Sequence, residues 1–198
     1  MTASSDLTVR QQRIVDALRP FLGAEAPVLY HVLGQEEKSG ESDTPTHRLV
    51  AQAMLHCGRP VLVVPYAGDF EATGKHVLVA WDGSRESAVA MRAALPLLVT
   101  ATRVTLVSLR KGVQPQDPDR LLVAEMVRWL QRHGVPAVVE QGVTEIAISD
   151  ALLSRASDLS VDLIVMGGYG HSRLRELMLG GVTRQVLAQM TVPTLIAH

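Results

Sequence analysis

Aromatic residues are scarce in this chain: Phe, Trp and Tyr together make up 4% of its 198 residues. That scarcity argues against the stacking platforms that hold single-stranded nucleic acid. An excess of one charge is also missing. Lys and Arg number 19 against 20 Asp and Glu, the formal net charge is −1, and no basic block marks a nucleic-acid surface. The one cysteine, Cys57, cannot form an internal disulfide and fits a reducing compartment. No apolar run approaches the roughly 18 residues that span a bilayer. Met1 to Arg10 lacks the basic-then-apolar pattern of a secretory signal. The expected location is the cytoplasm, with neither nucleic acid nor membrane as a partner. What the chain does have is 47% hydrophobic residues, enough for a substantial core.

Those residues fall into a degenerate repeat. Pro27 to Gly34 reads as a strand, Leu49 to Cys57 as a helix, and Pro60 to Val64 as a second strand. Val161 to Gly167, Val182 to Met190 and Pro193 to Ala197 repeat that layout. Gly34 to Pro60 and Gly167 to Pro193 are both 26 residues apart, which points to duplication of one unit. At the offset of 133, Gly170, Gly180 and Gly181 fall on Glu37, His47 and Arg48. The early copy keeps the apolar frame without the glycines. Only one helix candidate, Thr8 to Leu22, precedes it, with Ile14, Leu18 and Leu22 at helical spacing.

The later copy reads as complete. Val77 to Trp81 is a strand ending in Asp82-Gly83-Ser84, a turn and N-cap signal. Helix Arg85 to Leu98, strand Val104 to Leu109, loop Gln114 to Asp119 and helix Leu121 to His133 follow. Strand Ala137 to Glu140 and helix Ile146 to Leu159 precede the final strand, helix and strand. Alternation of this kind predicts an α/β fold: a parallel sheet with helices on both faces. The expected division is a partial αβαβ repeat over 1–66, a linker over 67–74 and a complete domain over 75–198.

After the strand ending at Met166-Gly167 comes Gly168-Tyr169-Gly170, and nine residues later Gly180-Gly181-Val182-Thr183. Glycine lets the backbone approach an anion closely, and N–H groups at a helix start are free to donate. The pattern predicts a phosphate site.

Strand-Asp-Gly-Ser, the run Leu163 to Gly167 and Gly-x2-Gly-x9-Gly together resemble the universal stress protein family. The resemblance covers Lys75 to His198 in full and Ala26 to Pro65 in part, a tandem layout with a truncated first half. It implies a five-stranded parallel sheet of order 3-2-1-4-5, the adenine nucleotide α-hydrolase-like arrangement. It also implies a site for ATP, with AMP or ADP as alternatives and Mg²⁺ admitted beside it. Carried over by position, Gly167, Gly170, Gly180 and Gly181 line the phosphates, flanked by Met166, His171, Val182 and Thr183. Asp82 sits near the ribose, Ala80 and Trp81 near the base, and Ser108 against adenine. Two departures stand out. Gly181 occupies the place where the family usually has Ser or Thr, leaving Thr183 as the substitute hydroxyl. Ala80-Trp81 stands where binding members often have a proline.

Several residues carry a second reading. Gly180-Gly181 can simply separate two helices. Asp82 binds ribose or caps the following helix. Trp81 stacks on a base or fills the pocket. Met166 also reads as core. His171 has no second ligand beside it and reads as a loop residue, and no metal ligand set is expected. Arg173 and Arg175 read as the polar face of a short helix, and Cys57 as an inert thiol.

No Ser/His/Asp set and no Gly-Lys-Ser/Thr phosphate loop is present, so no catalytic residue is assigned. The expected activity is nucleotide binding in stress-response regulation, with slow ATP hydrolysis as the upper limit. The alternative is an interaction module of the same fold that binds no nucleotide. A homodimer through exposed sheet edges is expected, with the edge at Val28 to Leu33 involved.

Overall fold

A computed structural model describes residues 31–35, 50, 52–53, 58–68, 70, 73–112, 119–168 and 181–198. The helix expected over Thr8 to Leu22, the strand start at Pro27, and Gly170, His171 and Gly180 lie outside the described residues, as do Cys57, Arg173 and Arg175.

The described strands are β1 (His31–Gly34), β2 (Val61–Val64), β3 (His76–Ala80), β4 (Arg103–Lys111), β5 (Ala137–Thr144), β6 (Leu163–Gly167) and β7 (Thr194–Ala197). The helices are α1 (Arg85–Leu98), α2 (Asp119–Arg132), α3 (Ile148–Asp158) and α4 (Gly181–Gln189). All seven strands join one sheet in the order β1-β2-β7-β6-β3-β4-β5. This corrects the expected five-stranded sheet. The order β5-β4-β3-β6-β7 is contained in it, but β7 is not an edge, because β2 pairs with it antiparallel. Every other pairing is parallel.

Alternate strand residues feed two apolar layers, which is why the strands read as continuous Val/Leu/Ile runs. Val77 and Val79 pack with Ala90, Met91, Leu97 and Leu98 of α1 and Leu130 of α2. Leu78, Ile164 and Ile196 pack with Leu152 of α3 and Val186 and Leu187 of α4 on the opposite face. Tertiary pairing also carries β5 four residues past its expected end at Glu140, through Gln141 and Gly142, because β4 supplies partners as far as Thr144.

The two parallel pairs share one geometry. β1 and β2 pair His31 with Val61 and Gly34 with Val64. Adding 133 to each number gives Ile164 with Thr194 and Gly167 with Ala197, the register of β6 and β7. Gln35 N donates to Val64 O at 2.7 Å, and at the same offset Gly168 N donates to Ala197 O at 2.9 Å. The antiparallel join is symmetric under the same offset, with Leu62 opposite Leu195 at its centre.

Two polar side chains, Gln35 buried and Asp162 half-buried, hold these pieces in place. Gln35 Nε2 donates to Leu187 O in the last turn of α4 at 2.6 Å, and its Oε1 accepts from Tyr66 N at 3.2 Å. It thereby satisfies a helix-terminal carbonyl that has no partner within α4. Asp162, ahead of β6, accepts from the backbone N–H groups of Gly74, Lys75 and His76 at 2.8, 3.0 and 3.1 Å. Burial raises its carboxyl above the usual 3.8, while the three N–H donors and His76 pull the other way without overcoming it.

Asp162→Ala strips three donors of their acceptor and should lower the unfolding free energy by about 2–3 kcal/mol in urea denaturation. With the folded pKa above the unfolded 3.8, the stability Asp162 supplies is complete below that pH and declines as pH rises through the folded value. The gap between wild type and variant should therefore narrow with rising pH. A gap that widens would contradict the burial argument.

Candidate functional site

Chain order reverses at β3: β4 lies on one side of it and β6 on the other. The helices that follow β3 and β6 therefore lie on opposite faces, and the crevice at such a switch in strand order is the place where open α/β sheets take ligands. α1, after β3, packs on one layer, and α4, after β6, packs on the other. Both helices start at this end of the sheet, so both turn the positive end of a helix dipole towards it.

Register sets which predicted residues meet. β3 and β4 pair Ala80 with Val107, and β3 and β6 pair Val79 with Val165. One residue further on β4, and two further on β6, Ser108, Trp81 and Gly167 stand in one row on the α1 side. Ala80 and Met166 face the opposite layer, where Met166 is buried core and Ala80 packs at its margin. The expected cluster is thus split between two faces of the sheet.

Gly167 is held by packing. A Cβ there would lie 2.5 Å from Ser87 N and 2.7 Å from the carbonyl carbon of Glu86, both backbone atoms of the first turn of α1. Only glycine lets that turn rest on the end of β6. Beyond it, Gly168 O accepts at 3.2 Å from His198 Nδ1, which carries the proton in this arrangement. The sequence pattern includes Gly168 in its glycine run without giving it a partner, and it gives no signal for His198.

The start of α1 is a relay of hydrogen bonds. Asp82 Oδ1 accepts from Ser84 N at 3.0 Å and from Ser84 Oγ at 2.6 Å. Ser84 Oγ in turn accepts from Ser87 N at 3.1 Å, and Ser87 Oγ donates to Ser84 O at 2.9 Å. Ser84 is therefore the N-cap, with the extended backbone that position needs. Asp82 orients the cap and does not cap the helix itself. Gly83 between them has φ +77°, the left-handed conformation that glycine adopts without strain.

Trp81 is 5% exposed and packs among the α1-side core residues, so it fills the interior and does not form an open stacking surface. Its Nε1 is buried with no hydrogen-bond partner among the described residues. Ser108 beside it is also buried.

α4 begins at Gly181, where an added Cβ would meet nothing within 4 Å, and its φ lies outside the left-handed region. Neither packing against the described residues nor backbone conformation requires glycine there. Val182 is exposed and Thr183 is buried against the core, so the Thr183 hydroxyl is not displayed as an open donor. No group of three or more His, Cys, Asp or Glu side chains suited to a metal occurs among the described residues. No helix among them is long and apolar enough to cross a membrane.

Residues 74–198 match the universal stress protein family. The chain belongs to that family. A universal stress protein of Synechocystis, Slr1230, is 34% identical over 145 residues, covering 69% of this chain and 46% of the relative. The chain thus spans about half the length of that curated relative. Among solved structures, a universal stress protein of Archaeoglobus fulgidus aligns over 85% of this chain and 60% of its own, with TM-score 0.62 at 16% identity. A universal stress protein solved in complex with cAMP aligns over 63% of this chain and 96% of its own, with TM-score 0.51 at 24% identity. These likenesses establish the shared α/β fold.

Gly167→Ala should push the first turn of α1 off β6 and lower stability by about 1–3 kcal/mol in urea denaturation, as overpacking does. Trp81→Phe removes an unpaired buried donor while losing some volume, so its net effect should stay within about 1 kcal/mol; Trp81→Ala should lose about 3–5 kcal/mol. A large loss for Trp81→Phe would show that Nε1 has a partner.

Proposed function

We propose that the chain is a nucleotide-binding module of the universal stress protein type, holding ATP or another adenine nucleotide at one site in residues 75–198. In this reading residues 1–66 are a degenerate partial copy joined by the linker 67–74, and the module serves stress-response regulation. The observation that carries the proposal is Gly181 at the head of α4, beside the crevice between β3 and β6. No described residue packs where its side chain would be, and its φ does not call for glycine. Close approach of a phosphate to the N–H groups of Gly181, Val182 and Thr183 supplies a reason for glycine there.

The equal registers of β1–β2 and β6–β7 support the duplicated organisation. The cAMP complex of a protein with this fold supports the ligand class. On this reading Gly170, His171 and Gly180 continue the phosphate loop, Asp82 lies near the ribose, and Mg²⁺ accompanies a bound triphosphate. The backbone does the binding, and no residue is assigned a catalytic step.

A second reading keeps the fold without the ligand. Trp81 is buried where a base would be received, and Asp82 is already engaged by Ser84. Both observations favour an interaction module.

Calorimetric titration of ATP, AMP and cAMP into nucleotide-stripped protein separates the two. One nucleotide per chain is expected. Gly181→Glu meets open space and places a carboxylate in a first helical turn, where it suits the dipole. It should leave stability within about 0.5 kcal/mol of wild type. It should also weaken binding at least tenfold, because it sets a negative charge against the phosphate. Unchanged affinity in this variant would remove the phosphate from α4, and absence of binding by wild type would establish the second reading.

A further inference from the structure

The seven-stranded sheet ends at β1 on one side and β5 on the other. β1 has four residues, whereas β5 has eight. Val138, Val139 and Val143 of β5 are 52%, 37% and 56% exposed, and no described strand pairs with its outer side. Native edges of this length are blunted by charged side chains, Pro or a bulge. β5 contains neither Lys nor Pro, its one charge, Glu140, is paired with Arg155, and its eight residues pair with β4 without a break in register.

Its sequence pairs well with itself. Two antiparallel copies related by a two-fold axis must keep each residue on its own face of the sheet, so facing residue numbers share parity. With Gln141 on the axis, Val139 of each copy faces Val143 of the other. Glu140 faces Gly142 and Val138 faces Thr144. Facing β-branched pairs of this kind stabilise antiparallel sheets, and no like charges stand directly opposite. The two Glu140 carboxylates lie only on a diagonal, and each is already held by Arg155 of its own chain at 3.3 Å. Shifting the axis by one residue to Glu140 would set those carboxylates face to face. The charge pattern therefore excludes the Glu140 register, and the axis at Gln141, near the middle of β5, is the one that sets Val139 opposite Val143.

The other candidate surface for strand addition is weaker. The outer side of β7 is consumed by β2, and β1 offers four described residues against the eight of β5. We propose that two copies of this chain associate through antiparallel pairing of β5 with β5 about an axis at Gln141, which extends the sheet across the dimer and leaves both crevices free. The pairing does not depend on the nucleotide reading.

Sedimentation velocity on the full chain over a range of concentrations tests it. A monomer–dimer equilibrium is expected for wild type. Val139→Lys and Val143→Lys alter exposed side chains, so each should keep the wild-type thermal transition while raising the dimer dissociation constant at least tenfold. In a Cys57→Ser background, Gln141→Cys should form a disulfide between chains under mild oxidation, since facing residues bring Cα atoms to about 4.5–5.5 Å. Val182→Cys, exposed on α4, should not. A monomer at every concentration would overturn the proposal. So would a dimer that survives both lysine variants, or one in which position 141 cross-links no better than position 182.

Discussion

Strand β7 cannot be left open. All four of its residues are buried, and its backbone groups on the side away from β6 need partners. β2 supplies them from a segment more than a hundred residues earlier, antiparallel and with Leu62 facing Leu195. That single join sets much of the rest. It turns a five-strand order into a seven-strand sheet, and it places β1 where Gln35 can reach the last turn of α4. It also moves one free edge of the sheet from β7 to β1, while β5 remains the other.

The crevice depends on a second close fit. Because α1 rests on Gly167 backbone to backbone, the relay from Asp82 through Ser84 to Ser87 is locked against the end of β6. Gly167 thereby sets the spacing between the two sides of the site. Gly181, by contrast, is loosely surrounded. Two glycines that look alike in a spaced motif stand in different surroundings, one admitting a helix and the other with no described residue packed against it.

Much of this was legible in advance because buried parallel strands have a plain signature. Val61 to Val64, Val77 to Ala80 and Leu163 to Gly167 read as strands from their unbroken apolar runs, and the matched Gly-to-Pro spacings anticipated the shared register. The misses have physical causes. Asp82 and Ser84 are both good N-caps, and only the geometry of the turn at Gly83 selects Ser84. Gln141 and Gly142 are poor strand formers, yet β4 holds them in the sheet. Gln35 and Asp162 gave no signal, because their partners are backbone groups 152 and up to 88 residues away. A tryptophan ahead of an aspartate does not announce which face of the sheet it will occupy. That depends on parity along β3, which set Trp81 among the residues under α1.

The join between β2 and β7 also has a temporal side. Val61 must find Ile196, and β7 is synthesised well over a hundred residues after β2. Throughout that interval an apolar strand waits with one side unpaired, and loop closure over such a separation is slow. The nascent chain is therefore most exposed to misassembly before β7 arrives, with the β1–β2 unit as the vulnerable element. Maturation of the whole sheet is gated by the arrival of a single four-residue strand.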